Sequence, residues 1–211
     1  MTRKLWDISQ SLRPDLPVWP GDTPFQSSPK WTLGPGSPVN VAAFTASTHT
    51  GAHADAPLHY DPAGAAIDIV ALDAYLGPCL LIDARTCGAL IEPDFVEANV
   101  PPGTERVLFR TYQRFPHDAW TSDFTAVHPA AIVALAERGV RLIGLDSPSL
   151  DPEDSKTLDA HHAVRLADMR VLEGLVLDEP PVGEYELIAL PLPLAGLDAS
   201  PVRAVLRAVT P

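Results

Sequence analysis

Short apolar runs alternate along the chain with polar, proline and glycine positions, which predicts a mixture of strands and helices. Buried strands are predicted for four runs that end at Pro, Gly or charge: Cys79–Asp83, Val107–Arg110, Leu142–Asp146 and Tyr185–Leu190. A helix is predicted from Pro129 to Arg138, because Pro favours a helix start and Gly139 follows the end. Ser200 and Pro201 predict another short helix, with Ser as N-cap and Pro at the first helical position.

The N-terminal third has a different pattern, with extended stretches at Lys4–Ser9, Lys30–Leu33 and Val39–Ser47. Strands there, together with helices farther on, predict an α/β fold with a mixed sheet of considerable antiparallel character. The 23 prolines and 13 glycines are spread throughout and form no linker. Residues 1–211 are therefore interpreted as a single domain.

Composition narrows the possible partners. With 27 acidic against 15 basic residues, the net charge is -12, which argues against nucleic acid or an anionic membrane as a partner and favours a small molecule. No apolar run reaches the ~18 residues that a membrane-spanning helix needs. The two cysteines and the absence of an apolar secretory segment at the start indicate the reducing cytoplasm.

Three of the seven histidines fall within the segment His49–His59, with Asp55 between them and mostly small spacers. Imidazole and carboxylate groups are good ligands for zinc and similar divalent ions. A fully extended chain would place the Cα atoms of His49 and His53 about 13 Å apart, so the segment must turn if they share an ion. Gly51 permits such a turn, and Pro57 argues against a continuing helix, which predicts a tight metal-wrapping loop.

The alternative for any lone histidine is an ordinary solvated or core position. His117 and His128, which stand apart from the cluster, are interpreted in that way.

One loop supplies too few donors for a closed site, and two other places offer more. The polar stretch Asp154–His162 follows the apolar strand that ends at Asp146, a common position for functional groups in α/β folds. Glu173 stands in an apolar run, where burial would be expensive unless the carboxylate were paired or metal-bound. The alternative for Glu173 is a strand end turned to solvent.

These residues together resemble the cyclase-type metal-dependent hydrolases. The segment His49–His59, with His161 and Glu173, carries the resemblance, and its form, with Ala at position 52, looks like the bacterial kynurenine formamidase (arylformamidase) branch. The likeness covers nearly the whole chain and includes three further segments, Val18–Asp22, Asp146–Ser149 and Asp154–Lys156, the last leading to His161. It implies the single mixed-sheet, swivelling β/β/α-like fold of that family.

The resemblance also implies a site with two zinc ions, for which manganese or cobalt could substitute. It implies that one ion is held by His49, His53 and Asp55, and that Asp55 bridges to a second ion held by His161 and Glu173. Spacing alone leaves His162 open as the alternative to His161. By the same resemblance, His59 is the proton donor and acceptor, Trp19 contacts the substrate and the chain forms a homodimer.

The implied reaction is hydrolysis of N-formyl-L-kynurenine to L-kynurenine and formate in tryptophan degradation, with hydroxide generated at zinc near neutral pH. An alternative is opening of a cyclic amide such as isatin at the same kind of site. A non-catalytic metal-binding protein is less favoured, because structural zinc sites usually close with four Cys or His ligands. A serine hydrolase is disfavoured, since the sequence lacks a Gly-x-Ser-x-Gly motif.

Overall fold

The computed structural model describes residues 3–209, which form a large mixed sheet covered by short helices. Within residues 3–209, and labelled in chain order, the nine strands of this sheet lie in the spatial order β1 (Leu5–Asp7), β13 (Val205–Ala208), β11 (Gly183–Ile188), β5 (Leu76–Asp83), β7 (Arg106–Arg110), β9 (Leu142–Leu145), β10 (Arg170–Glu173), β4 (His53–Asp55) and β12 (Ala199–Pro201). Two smaller pairs are β2 (Gln26–Trp31) with β3 (Val41–Thr45), and β6 (Leu90–Ile91) with β8 (Ala126–Val127).

The centre of the sheet is parallel and its flanks are antiparallel. Strands β5, β7, β9 and β10 run parallel to one another. The flanking strands pair antiparallel: β1, β13 and β11 on the side of β5, and β4 and β12 on the side of β10. Central strands are buried on both faces, as β7 shows: Leu108 belongs to one hydrophobic cluster, while Val107 and Phe109 belong to the other. This arrangement confirms the predicted mixed α/β fold.

The helices pack against one of these two clusters. They are α1 (Pro93–Asn99), α2 (Pro129–Glu137) and α3 (Asp159–Leu166), with 3₁₀ turns at Pro57–His59 and Leu72–Tyr75. Val96, Ile132 and Val164 bring their buried faces to the cluster that contains Phe109. None of the helices in the described residues is long and apolar enough to cross a membrane.

Most of the elements predicted from apolar runs are present. The four predicted strands appear as β5, β7, β9 and β11, and the predicted helix appears as α2. Of the extended N-terminal stretches, Lys4–Ser9 contains β1 and Val39–Ser47 contains β3, whereas Lys30–Leu33 shares only its first two residues with β2. β2 and β3 form a separate ribbon whose residues are all exposed.

The helix predicted at Ser200 is wrong, because Ala199–Pro201 forms β12 at the edge of the sheet. The Ser200 hydroxyl accepts a hydrogen bond from the backbone N–H of Leu192 at 2.9 Å, so it does not cap a helix. Proline is tolerated in edge strands, where its missing N–H leaves no ladder bond unmade. Pairing with β4 therefore outweighs the preference of the Ser200–Pro201 dipeptide for a helix start.

Candidate metal centre

Two of the predicted donors lie on one face of β4. His53 and Asp55 are two residues apart in a strand, so their side chains point to the same side of the sheet. In the antiparallel register of β10 and β4, Glu173 lies directly opposite His53. Cross-strand partners on one face are close neighbours. Strand pairing thus brings Glu173 to the histidine segment, and its side chain is buried, not turned to solvent.

His49 precedes β4 in a turn that spans Thr48–Ala52. Gly51 has a positive φ of 69°, as expected where the chain must reverse tightly. Gly174, which follows Glu173, packs so closely that an added Cβ would lie 2.6 Å from the carbonyl oxygen of Gly51. The predicted loop is therefore present for His49, but it gives way to a strand at His53.

The first turn of α3 positions His161. The carboxylate of Asp151 accepts hydrogen bonds from the backbone N–H groups of Ala160 and His161, at 2.9 and 3.1 Å. The same carboxylate lies 2.6 Å from His161 Nδ1 and so fixes the ring as well as the backbone. His161 is buried in the cluster, whereas the neighbouring His162 is exposed.

These donors converge on two buried carboxylates. His53 Nε2 lies 3.5 Å from Asp55 Oδ1 and 3.4 Å from Glu173 Oε2. His161 Nε2 lies 3.5 Å from Asp55 Oδ2 and 3.5 Å from Glu173 Oε1. His49 Nδ1 reaches the same centre, 3.1 Å from Asp55 Oδ1. Asp55 is therefore the group that all three imidazoles share.

The outer sides of the three imidazoles are also engaged. Each has its other ring nitrogen against an acceptor outside the cluster: the Gly51 carbonyl for His53 (2.9 Å), Asp151 for His161 (2.6 Å) and Asp198 for His49 (3.0 Å). Metal-binding histidines almost always have such an outer partner, which fixes the tautomer and aims the free nitrogen at the ion.

The inner atoms have no such partners. Four buried polar atoms of this cluster form no hydrogen bond with the described residues: His53 Nε2, Asp55 Oδ1, Asp55 Oδ2 and His161 Nε2. Buried polar atoms without partners are rare and call for an explanation. Imidazole nitrogens and carboxylate oxygens that face one another suit a divalent cation. The residues present therefore fit a metal centre.

The charges of the cluster agree with this interpretation. Burial opposes ionisation of Asp55, but His161 and His49 outweigh it and hold the pKa of the carboxyl well below its usual range. Burial likewise opposes protonation of His49, yet Asp55 and Asp198 raise its pKa to about 9. The two carboxylates, Asp55 and Glu173, are both buried, and buried negative charge is costly unless positive charge lies close to it.

His59 lies beside this cluster at the end of the 3₁₀ turn Pro57–His59. Its ring centroid is 4.3 Å from that of His49 and 5.9 Å from that of His161. Its side chain is 31% exposed, unlike the buried rings of His53 and His161. A ligand atom of His59 also lies within 4.8 Å of one from His49 and one from Asp55, so proximity alone does not separate ligand from acid–base group.

A cavity of about 300 Å³ opens onto the cluster. Its lining combines the site residues with aromatic side chains: His49, His53, His59, His161, Glu173, Trp19, Tyr112, Phe115 and Trp120. Trp19 packs edge-to-face against Trp120, with ring centroids 5.3 Å apart. The cavity therefore offers aromatic surface next to the metal donors, which suits a small aromatic ligand.

Asp151 and Asp198 are candidate functional residues that sequence reasoning misses, because each contacts a histidine of the cluster. Neither lies within the histidine segment. Asp151 contacts His161, ten residues farther along the chain, and Asp198 contacts His49, which is 149 residues away. The only local signal is an acidic residue next to an apolar or small-residue stretch, which is common on protein surfaces. His117 and His128 lie outside the cavity lining, and His128 accepts a hydrogen bond from the first turn of α2.

Comparisons with known proteins agree on one family. The family model described as putative cyclase matches residues 6–152. The chain is 57% identical over 204 residues to a kynurenine formamidase of Maricaulis maris (strain MCS10), covering 97% of this chain and 98% of that protein.

Solved structures extend the likeness to the fold. A predicted metal-dependent hydrolase from Bacillus stearothermophilus is 27% identical, with a TM-score of 0.83 and coverage of 98% of this chain and 99% of that one. Isatin hydrolase A from Labrenzia aggregata is 25% identical, with a TM-score of 0.83 and coverage of 98% and 94%. Relatives of this fold therefore include proteins described as hydrolases.

Proposed function

The chain belongs to the cyclase family and is a metal-dependent hydrolase, and we propose that it is an arylformamidase that converts N-formyl-L-kynurenine to L-kynurenine and formate. The observation that carries the metal chemistry is the set of three imidazoles, each held from outside and aimed at shared carboxylates. The near full-length likeness to a kynurenine formamidase supports the substrate. The proposed role lies in tryptophan degradation by the kynurenine pathway.

We propose that His49, His53 and Asp55 hold one zinc ion, and that Asp55, His161 and Glu173 hold a second. Asp55 suits a bridge because its two oxygens face different imidazoles. Zinc at these donors supplies Lewis-acid polarisation of a carbonyl and increased acidity of water.

The residues of the chain provide the other parts of the reaction. Trp19 packs against the aryl ring of the substrate and orients the formamide towards the donor cluster. His59 takes a proton from the attacking water as the new C–O bond forms. It returns that proton to the aryl nitrogen as the C–N bond breaks, so that formate and the free amine leave. Its partial exposure beside the buried donors suits a group that exchanges protons with substrate.

The metal content is a direct test of the two-ion proposal. Carefully prepared active protein should contain about two equivalents of zinc per chain by elemental analysis, because the two oxygens of Asp55 face different histidines, His49 and His161. Manganese or cobalt should restore activity to stripped protein, since these donors do not select zinc uniquely. One equivalent or none in fully active protein would contradict the two-ion site.

The activity is tested on N-formyl-L-kynurenine with and without a chelator. We expect turnover that is lost on metal removal and returns when zinc is added back, because the metal polarises the scissile carbonyl. Release of formate and of the aryl amine should match mole for mole. Turnover that survives complete metal removal would refute the metal mechanism.

Isatin is the comparison substrate for that assay, because isatin hydrolases share the fold. Its cyclic amide could be opened by the same chemistry. We expect a kcat/KM for isatin well below that for N-formyl-L-kynurenine. The reverse order would assign the chain to the cyclic amide hydrolases, and no turnover of either substrate would favour a metal-binding protein without catalysis.

We also propose that the chain is a homodimer, and that the β2–β3 ribbon takes part in the interface. An isolated two-stranded ribbon is at best marginally stable in water. All residues of β2 and β3 are exposed, and large apolar side chains stand on and beside the ribbon: Trp31 (61% exposed), Leu33 (61%) and Phe44 (64%). A second copy would cover this apolar surface.

Sedimentation checks the dimer. The protein should sediment at twice the monomer mass of 22.6 kDa at micromolar concentration. Replacing both Trp31 and Phe44 by serine should shift it towards monomer, whereas Ile69→Ser, at a residue 69% exposed outside the ribbon, should not. A monomeric wild-type protein would refute the proposal.

We place the enzyme in the reducing cytoplasm and interpret residues 1–211 as one hydrolase domain. Both cysteines, Cys79 and Cys87, are free thiols, as suits that compartment. The large sheet combines β1 with β13, from opposite ends of the described chain, as suits a single unit.

A further inference from the structure

Asp198 is fixed against the segment that leads to His59. Its carbonyl oxygen accepts a hydrogen bond from the N–H of Ala56 at 2.8 Å. The next residue, Ala199, pairs with Asp55 in the register of β12 and β4. Because these contacts fix the backbone of Asp198 and Ala199, the Asp198 side chain has a defined position beside the 3₁₀ turn.

The carboxylate of Asp198 faces two histidines. Its Oδ2 atom lies 3.3 Å from His59 Nδ1 and 3.0 Å from His49 Nε2. Its Oδ1 atom accepts a hydrogen bond from the Thr48 hydroxyl at 3.1 Å.

An ionised carboxylate can only accept hydrogen bonds, so the nitrogen that faces it must carry a proton. We propose that Asp198 is a positioning residue that holds His59 in the Nδ1–H tautomer and leaves Nε2 as the nitrogen that takes and returns the proton. This inference rests on the proposed acid–base role of His59. It adds a carboxylate that the histidine segment does not contain.

The contact with His49 has a related consequence. A carboxylate on the outer nitrogen of a metal-binding histidine fixes the orientation of the ring. Asp198 thus joins the ligand His49 to the acid–base group His59 through one oxygen atom. The distance between His49 and His59 is then set by Asp198, the residue before β12, as well as by the histidine segment itself.

The test compares Asp198→Asn and Asp198→Glu with Asp68→Asn. Asp68 accepts a hydrogen bond from the N–H of Gly196 at 3.0 Å, so its variant removes one charge from a side chain that contacts the loop before Asp198. Long-range ¹H–¹⁵N spectra of metal-free and zinc-loaded protein report the tautomer of His59, whose signals are assigned by their loss in His59→Ala. Steady-state kinetics and elemental analysis are measured in parallel at saturating zinc.

We expect the Nδ1–H tautomer in wild type and a mixture of tautomers in Asp198→Asn, because the asparagine amide can rotate to offer a donor. The kcat on N-formyl-L-kynurenine should fall about 10- to 100-fold with bound zinc and KM nearly unchanged. Asp198→Glu should recover part of the loss, and Asp68→Asn should stay within about twofold of wild type.

Three results would overturn the proposal. An unchanged tautomer in Asp198→Asn would show that Asp198 does not set it. A kcat within about twofold of wild type would show that the contact has no bearing on proton transfer. Failure of Asp198→Asn to load zinc at saturation would show that Asp198 serves metal binding and would overturn its assignment to the tautomer of His59. The tautomer is read without substrate, so this test is separate from whether the proposed substrate is correct.

Discussion

Asp55→Asn should remove the metal ions and reduce turnover by at least about 10³-fold. Asp55 lies within 3.5 Å of ring nitrogens of His49, His53 and His161, and its side chain is fully buried. Asparagine keeps the shape of the side chain but loses the negative charge and one acceptor oxygen. Lewis-acid stabilisation is worth several kcal/mol, and each 1.36 kcal/mol corresponds to a factor of ten in rate.

The measurements for this variant are zinc content, turnover and the thermal midpoint with and without zinc. Zinc should raise the midpoint of the wild type, because a ligand that binds only the folded state stabilises it. The midpoint of Asp55→Asn should not respond. Asp61→Asn is the matched control, since Asp61 pairs with Arg165 at 2.7 Å and should leave zinc content unchanged. A variant at position 55 that keeps both ions would contradict the bridging role.

His59→Ala should lower turnover about 10²- to 10⁴-fold while the zinc content stays near that of wild type. The expectation follows from the position of His59 at the end of a 3₁₀ turn beside the donors, with a partly exposed ring that reaches the cavity. His53→Ala is the matched comparison and should lose metal, because His53 Nε2 is buried between Asp55 and Glu173.

Zinc content and rate for the two histidine variants separate the possible roles. If His59→Ala lost zinc as fully as His53→Ala, His59 would be a ligand, as its proximity to His49 and Asp55 allows. Full activity in His59→Ala would refute the proton-transfer role.

The sequence predicts those strands and helices whose conformation follows from their own local composition. Apolar runs such as those of β7 and β9 are buried on both faces, so their composition alone identifies strands. The histidine segment is also recognisable, because donors cluster there without a packing reason. Glu173 stands out for a related reason, since a carboxylate in an apolar run needs a partner.

Other parts depend on contacts between distant segments. β4 has three residues, too few for a period-two pattern to be read, and its strand conformation follows from β10 and β12 on either side. Ser200 and Pro201 carry a helix-start signal that the edge pairing overrides. Asp151 and Asp198 gain their roles only from the histidines that the fold brings to them.

The placement of β4 between β10 and β12 has a consequence for the order of folding. The donors on β4 are synthesised early, but one of their flanking strands comes from the last part of the described chain. A growing polypeptide therefore has the histidine segment long before it can complete the cluster, and forming β4 requires closure of a long loop. We therefore expect the donor cluster to be complete only after β4 has paired with β10, which carries Glu173.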